Sequence, residues 1–238
     1  MLYFWIILIV SVASLVKGIT GFGFALVALP PLMIWYSPKE LIPVLILCSL
    51  FSSLIIVLQK KDRKLVNKAF QVLIVYGALF TIFGVFMLKY ISEHTLIIVM
   101  SVFFILLSIL TLLGVKYTLK LSRLSYKIMG AFLGFLTGSI SVSGPPLALF
   151  LHSANVDNQE FREIFSWFSI VTACIALVGY YFVGLLTMTT VKMTLIFIPI
   201  LYLGSYLGKR LNYRISPVLF KNMSVIITLL SSLFLILK

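Results

Sequence analysis

Gly18-Ile19-Thr20-Gly21-Phe22-Gly23-Phe24, continued by Ala25-Leu26-Val27-Ala28-Leu29-Pro30-Pro31, interrupts an apolar run that otherwise reads as transmembrane helix. Three glycines in six residues weaken a helix, and a charged Lys17 stands just before them. A partner stretch lies in the other half of the chain: Gly138-Ser139-Ile140-Ser141-Val142-Ser143-Gly144-Pro145-Pro146. Interruptions of this kind, one in each half of a membrane protein, point to a transporter's substrate site.

The rest of the sequence supplies the membrane. Of 238 residues, 62% are hydrophobic and 11% are charged, with a mean hydropathy of +1.18. A soluble domain of this size would be about a quarter charged. Several apolar runs approach the roughly 20 residues needed to cross a bilayer, so the chain reads as an all-α polytopic membrane protein. The net charge of +13 would suggest nucleic acid in a soluble protein. Here the basic residues stand in short loops between apolar runs, which is a topology signal and not a nucleic-acid surface. Cys48 and Cys174 fall within apolar runs and read as small packing residues, with no metal, disulfide or cofactor implied. The N-terminus lacks the basic start and small-residue cleavage pattern of a signal peptide.

The apolar units run approximately over 2–17 with 20–36, then 41–58, 69–88, 95–113, 128–153, 166–186, 193–208 and 217–237. Three intervening segments are rich in Lys and Arg: 59–68, 114–127 and 209–221. The positive-inside rule puts all three in the cytoplasm of a multi-pass inner-membrane protein. They share that side only if 128–153 enters and leaves by one face, as a hairpin broken at its glycine-proline stretch. The chain also resembles itself. Gly138 stands 120 residues after Gly18, Glu160 after Glu40 and Ser169 after Ser49, while Gly208 stands 124 after Gly84. This predicts two repeats, 1–115 and 116–238, forming one membrane domain. Each holds a broken, re-entrant-like helical hairpin and three transmembrane helices. An odd number of crossings inverts the second repeat relative to the first.

Broken helices suit an anion. The first amides of a helix have no partner within it, lipid cannot supply one, and their partial positive charge favours a negative ligand. The second half-helices are expected to begin near Thr20–Phe24 and Ser143–Pro146, with glycine permitting close backbone approach and Pro145 suited to a first turn. Lys17 has no acidic neighbour in sequence, and an ammonium in hydrocarbon costs at least about 2.5–3.5 kcal/mol on insertion scales. A bound anion would offset that cost; the competing reading is a lysine snorkelling from a helix that ends there. Thr20, Thr137, Ser141 and Ser143 are candidate hydroxyl donors to oxyanion oxygens, or else packing residues. The six carboxylates (Glu40, Asp62, Glu93, Asp157, Glu160 and Glu163) sit in loops or at helix ends, which argues against a proton or sodium relay. Arg162, between Glu160 and Glu163, is a candidate gate, and His152 a candidate ligand for substrate or proton.

The two glycine-rich stretches resemble those of the TauE/SafE sulfite exporter family, also called the toluene-sulfonate uptake permease group. The resemblance rests on GITGFGFALVALPPL at 18–32, SGPPLALFLH at 143–152, the basic loops and the two-half layout. It implies a secondary carrier for sulfite, a sulfonate or a related organosulfur oxyanion, with its glycine motifs on Gly18, Gly21, Gly23, Gly138, Gly144 and Pro145. Ser141 and Ser143 stand where that family's pattern leads one to expect glycine. The candidate substrate site is therefore Lys17, Gly18, Thr20, Gly21, Phe22, Gly23, Thr137, Gly138, Ser141, Ser143, Gly144, Pro145, His152 and Arg162. Two other classes compete. A non-transporting subunit would use the glycines only for helix packing. An intramembrane serine hydrolase needs a base near Ser143, but His152 follows on the same short segment and His94 lies in a loop.

Overall fold

The computed structural model describes residues 2–58, 68–113, 122–153, 156, 158–211 and 217–237. The described residues form ten helices: α1 (Leu2–Thr20), α2 (Phe24–Leu32), α3 (Pro38–Leu58), α4 (Lys68–Tyr90), α5 (Glu93–Leu112), α6 (Arg123–Ile140), α7 (Gly144–Ser153), α8 (Asn158–Phe182), α9 (Met188–Leu211) and α10 (Pro217–Leu237). Five of them, α3, α4, α5, α8 and α9, are long and apolar enough to cross a membrane. Most of the three basic stretches, together with Asp62 and Asp157, lies outside the described residues. The described carboxylates, Glu40, Glu93, Glu160 and Glu163, all sit within the first two turns of their helices.

The helices gather into two compact units. Unit 1 comprises Met1–Leu45, Ile91–Val115 and Met188–Lys238; unit 2 comprises Ile46–Tyr90 and Lys116–Thr187. In unit 1, α1 packs along α9 and against α2, while α10 packs on α5 and α2. In unit 2, α4 lies along α6 in the most extensive helix pair, and α8 packs on α4, α6 and α7. Each unit thus draws helices from both sides of the chain's midpoint: α9 joins α1 in unit 1, and α4 joins α6 in unit 2.

Glycine explains why these two pairs approach so closely. A methyl group on Gly18 would meet the Ser205 carbonyl at 2.5 Å and the Gly208 Cα at 2.9 Å. A methyl on Gly138 would run into the Thr81 carbonyl, and one on Gly84 into the backbone of Phe135–Ser139. The contacts correspond: Gly138 is 120 residues after Gly18, and Ser205 and Gly208 are 124 after Thr81 and Gly84. Without side chains between them the helices touch backbone to backbone, which is how small residues bring membrane helices together. Gly204 plays the same part against Ser14, and Gly134 against Gly77. Ser49 and Ser169, 120 residues apart on α3 and α8, hydrogen-bond to each other at 3.0 Å in unit 2.

Three residues interrupt each of the two broken units, 21–23 between α1 and α2 and 141–143 between α6 and α7. The helix continues through Gly18 and Gly138, later than a glycine count suggests, because both glycines are held against a neighbouring helix. The two breaks close alike. The Gly21 amide donates to the Lys17 carbonyl at 2.8 Å and the Ser141 amide to Thr137 at 3.1 Å. Re-entry is also matched, Val27 to Gly23 and Leu147 to Ser143, each at 3.1 Å. Gly21 and Ser141 both adopt left-handed backbone, φ 87° and 58°. Serine there is strained where glycine is not.

Two outcomes follow for the purified protein in detergent. Gly134→Ala drives a methyl into the Gly77 carbonyl and is expected to cost about 1–3 kcal/mol, read as a lowered Tm. Gly179→Ala meets only the Val85 methyls, at 3.1 Å and beyond, and should cost less. At the second break, Ser141→Gly is expected to match or exceed the parent Tm, whereas the β-branched Ser141→Val should fall below it.

Candidate functional site

The two breaks have the same backbone and different chemistry. At the first, Gly23 caps α2 with no side chain to offer, at φ 90°. Val27 is the first residue to donate into the helix, so the amides of Phe24, Ala25 and Leu26 all precede the helical ladder. At the second, Leu147 is the first donor, but Pro145 and Pro146 carry no N–H. Of the corresponding three amides only that of Gly144 exists. The two half-helix starts thus differ: α2 presents three such amides, α7 one.

Charge is distributed in the same sense. Lys17 lies within the last turn of α1 and is 4% exposed, buried in unit 1 and not snorkelling outward. Its counterpart 120 residues on is the neutral Thr137. Gly18 and Gly21 beside it are buried; Thr20, Phe22 and Gly23 are half-buried.

Two of the four candidate hydroxyls, those of Thr20 and Thr137, are already engaged. Thr20 Oγ1 lies 2.9 Å from the Val16 carbonyl and 2.7 Å from that of Phe22, and accepts from the Phe22 amide at 3.3 Å. With one hydrogen to give, it stitches the turn shut. Thr137 donates back to Leu133 at 2.9 Å, and Ser139 to Phe135 at 2.7 Å. Ser141 differs: its Oγ is buried and has no hydrogen-bond partner among the described residues. Ser143 is buried one residue before α7, and Gly144 and Pro145 are buried in its first turn.

The remaining candidates stand apart from these clusters in sequence. Arg162 is half-buried in the early turns of α8, its carbonyl accepting from Ser166 Oγ at 2.6 Å. His152 is on α7, but its side chain falls outside the described residues. Lys17 to Gly23 thus form one group in unit 1, and Thr137 to Pro145 another in unit 2.

Two residues escaped sequence reasoning. Thr228 on α10 donates to the Leu26 carbonyl at 3.0 Å, and Tyr180 on α8 donates to the Gly138 carbonyl at 2.7 Å. Pro30 was a readable signal for the first, since it strips Leu26 of its helical partner; nothing in sequence announced the second.

The family model described as Sulfite exporter TauE/SafE matches residues 6–235, nearly the whole chain. No curated protein and no solved structure matches. Members of that family are membrane-integral transporters, not enzymes. By the extent of the match, this chain belongs to the TauE/SafE sulfite exporter family.

Proposed function

We propose that this protein is a secondary carrier for a small oxyanion, sulfite or an organosulfonate, in the inner membrane. The substrate's negative charge is taken up chiefly by the first break. The observation that carries this reading is the coincidence of three pre-helical amides, Phe24, Ala25 and Leu26, with a buried Lys17 within the last turn of α1. An anion at such a helix start gains about 0.3–1 kcal/mol when exposed and up to about 2 kcal/mol when partly buried. The second break contributes polarity in place of charge: the unpartnered Ser141 hydroxyl, Ser143 and the single Gly144 amide. Oxyanion oxygens accept from all of these groups.

In this reading the two repeats, 1–115 and 116–238, are inverted, and both breaks face a common site near the midplane that opens alternately to either side. Support comes from the breaks matching at a spacing of 120 residues, and from the reciprocal glycine contacts of α1 with α9 and of α6 with α4. The basic stretches 59–68, 114–127 and 209–221 face the cytoplasm. Arg162 serves at the entrance, with Glu160 and Glu163 as its neighbours in sequence.

Purified protein in liposomes is expected to pass sulfite or a small sulfonate at a rate absent from empty vesicles. Lys17→Met should lower flux at sub-saturating substrate by at least tenfold, about 1.4 kcal/mol; wild-type flux would remove Lys17 from the site. Thr137→Val, at the corresponding position of the second break, should have a smaller effect. Orientation is read separately, on a Cys48→Ala, Cys174→Ala background. Lys61→Cys and Lys120→Cys should react with a membrane-impermeant maleimide only from the cytoplasmic face, and His94→Cys only from the opposite face.

A further inference from the structure

Two carbonyls beside the breaks have lost the amide a helix would normally give them, for different reasons. In α2 the Leu26 carbonyl should accept from residue 30, but Pro30 has no N–H. In α6 the Gly138 carbonyl should accept from residue 142, but Val142 lies in the linker past the end of the helix. Away from water, each needs another donor.

Each receives one from a distant helix of its own unit. Thr228 Oγ1 of α10 reaches the Leu26 carbonyl at 3.0 Å in unit 1, across 202 residues of chain. Tyr180 Oη of α8 reaches the Gly138 carbonyl at 2.7 Å in unit 2, across 42. Both donors are fully buried, at 0% exposure. The usual habit of hydroxyls in this protein is different. Thr137, Ser139, Ser166, Thr172 and Thr194 all bond back to a carbonyl four residues earlier on their own helix. Thr228 and Tyr180 instead span two helices and end on the carbonyls that the breaks and prolines leave open.

We infer that Thr228 and Tyr180 are positioning residues, each fixing the orientation of one broken segment. The Leu26 carbonyl shares its peptide plane with the Val27 N–H, the first donor of the α2 ladder, so holding it fixes the turn that carries the three amides before it. Gly138 lies one turn before Ser141, so holding its carbonyl sets where the break begins and where the unpartnered Ser141 hydroxyl stands. This inference rests on the breaks being the anion site. Neither residue touches substrate; each acts through the segment it holds.

Thr228→Val and Tyr180→Phe remove the hydroxyl with little change of shape, and Thr228→Ser keeps it. In liposomes, Thr228→Val and Tyr180→Phe are each expected to raise the apparent KM for sulfite at least fivefold, with Thr228→Ser within twofold of the parent. Hydrogen–deuterium exchange of the same proteins in detergent supplies a readout independent of transport. Thr228→Val should accelerate exchange in residues 20–29 and leave 138–147 unchanged, and Tyr180→Phe should do the reverse. The inference is overturned if exchange at the two breaks stays at parental rates. It is equally overturned if exchange rises uniformly through the unit while flux falls only in proportion to folded protein. Should the parent carry no anion at all, the transport reading fails, and the local exchange pattern alone decides whether the two hydroxyls hold the breaks.

Discussion

A backbone amide or carbonyl has no solvent partner within a bilayer, and that constraint organises this molecule. An unbroken helix meets it automatically. Where α1–α2 and α6–α7 are interrupted, the protein must supply what the helix no longer does, and it does so with a small set of local devices. Left-handed residues at 21 and 141 let the chain turn while their amides still reach back four residues. Thr20 closes the first turn on itself. Thr228 and Tyr180 bring hydroxyls from elsewhere. The amides of Phe24, Ala25 and Leu26 are left ahead of the ladder, where a negative ligand is the natural complement.

The glycines serve a purpose the breaks alone do not explain. Gly18 and Gly138 remain helical and are pressed against the backbones of α9 and α4. Their contribution is proximity: they set each broken hairpin flush against a long apolar helix. The left-handed turns belong to Gly21, Gly23 and Ser141. A motif that looks like one feature in sequence therefore divides into a packing element and a turning element three residues later.

Much of this was legible without coordinates. An interruption of the 128–153 unit at its glycine-proline stretch was expected from the sequence, and the structure divides that unit into α6 and α7 at 141–143. The register of 120 residues followed from a handful of identities, and the backbone conformation of the breaks obeys it. Other features were beyond reach for physical reasons. Helix boundaries at Gly18 depend on whether a neighbour tolerates the missing side chain, which is tertiary information. That Thr137 and Thr20 spend their hydroxyls on their own backbone, while Ser141 does not, is decided by rotamer and local curvature. Nothing in the sequence marks Tyr180 as the partner of the Gly138 carbonyl, which its hydroxyl reaches from another helix. The consequence of Pro145 and Pro146 was readable: two prolines mean two missing donors, so the second break offers fewer free amides than the first.

That inequality bears on how a cargo would move. In the carrier proposed above, with the amides and the ammonium all on the segment Lys17 to Leu26, most of the electrostatic grip on a bound anion would belong to one of the two breaks. Such a passenger stays with its seat when other parts of the carrier shift. Under that proposal the electrostatic cost of holding the anion would follow the position of this one segment, whichever way the cargo is carried.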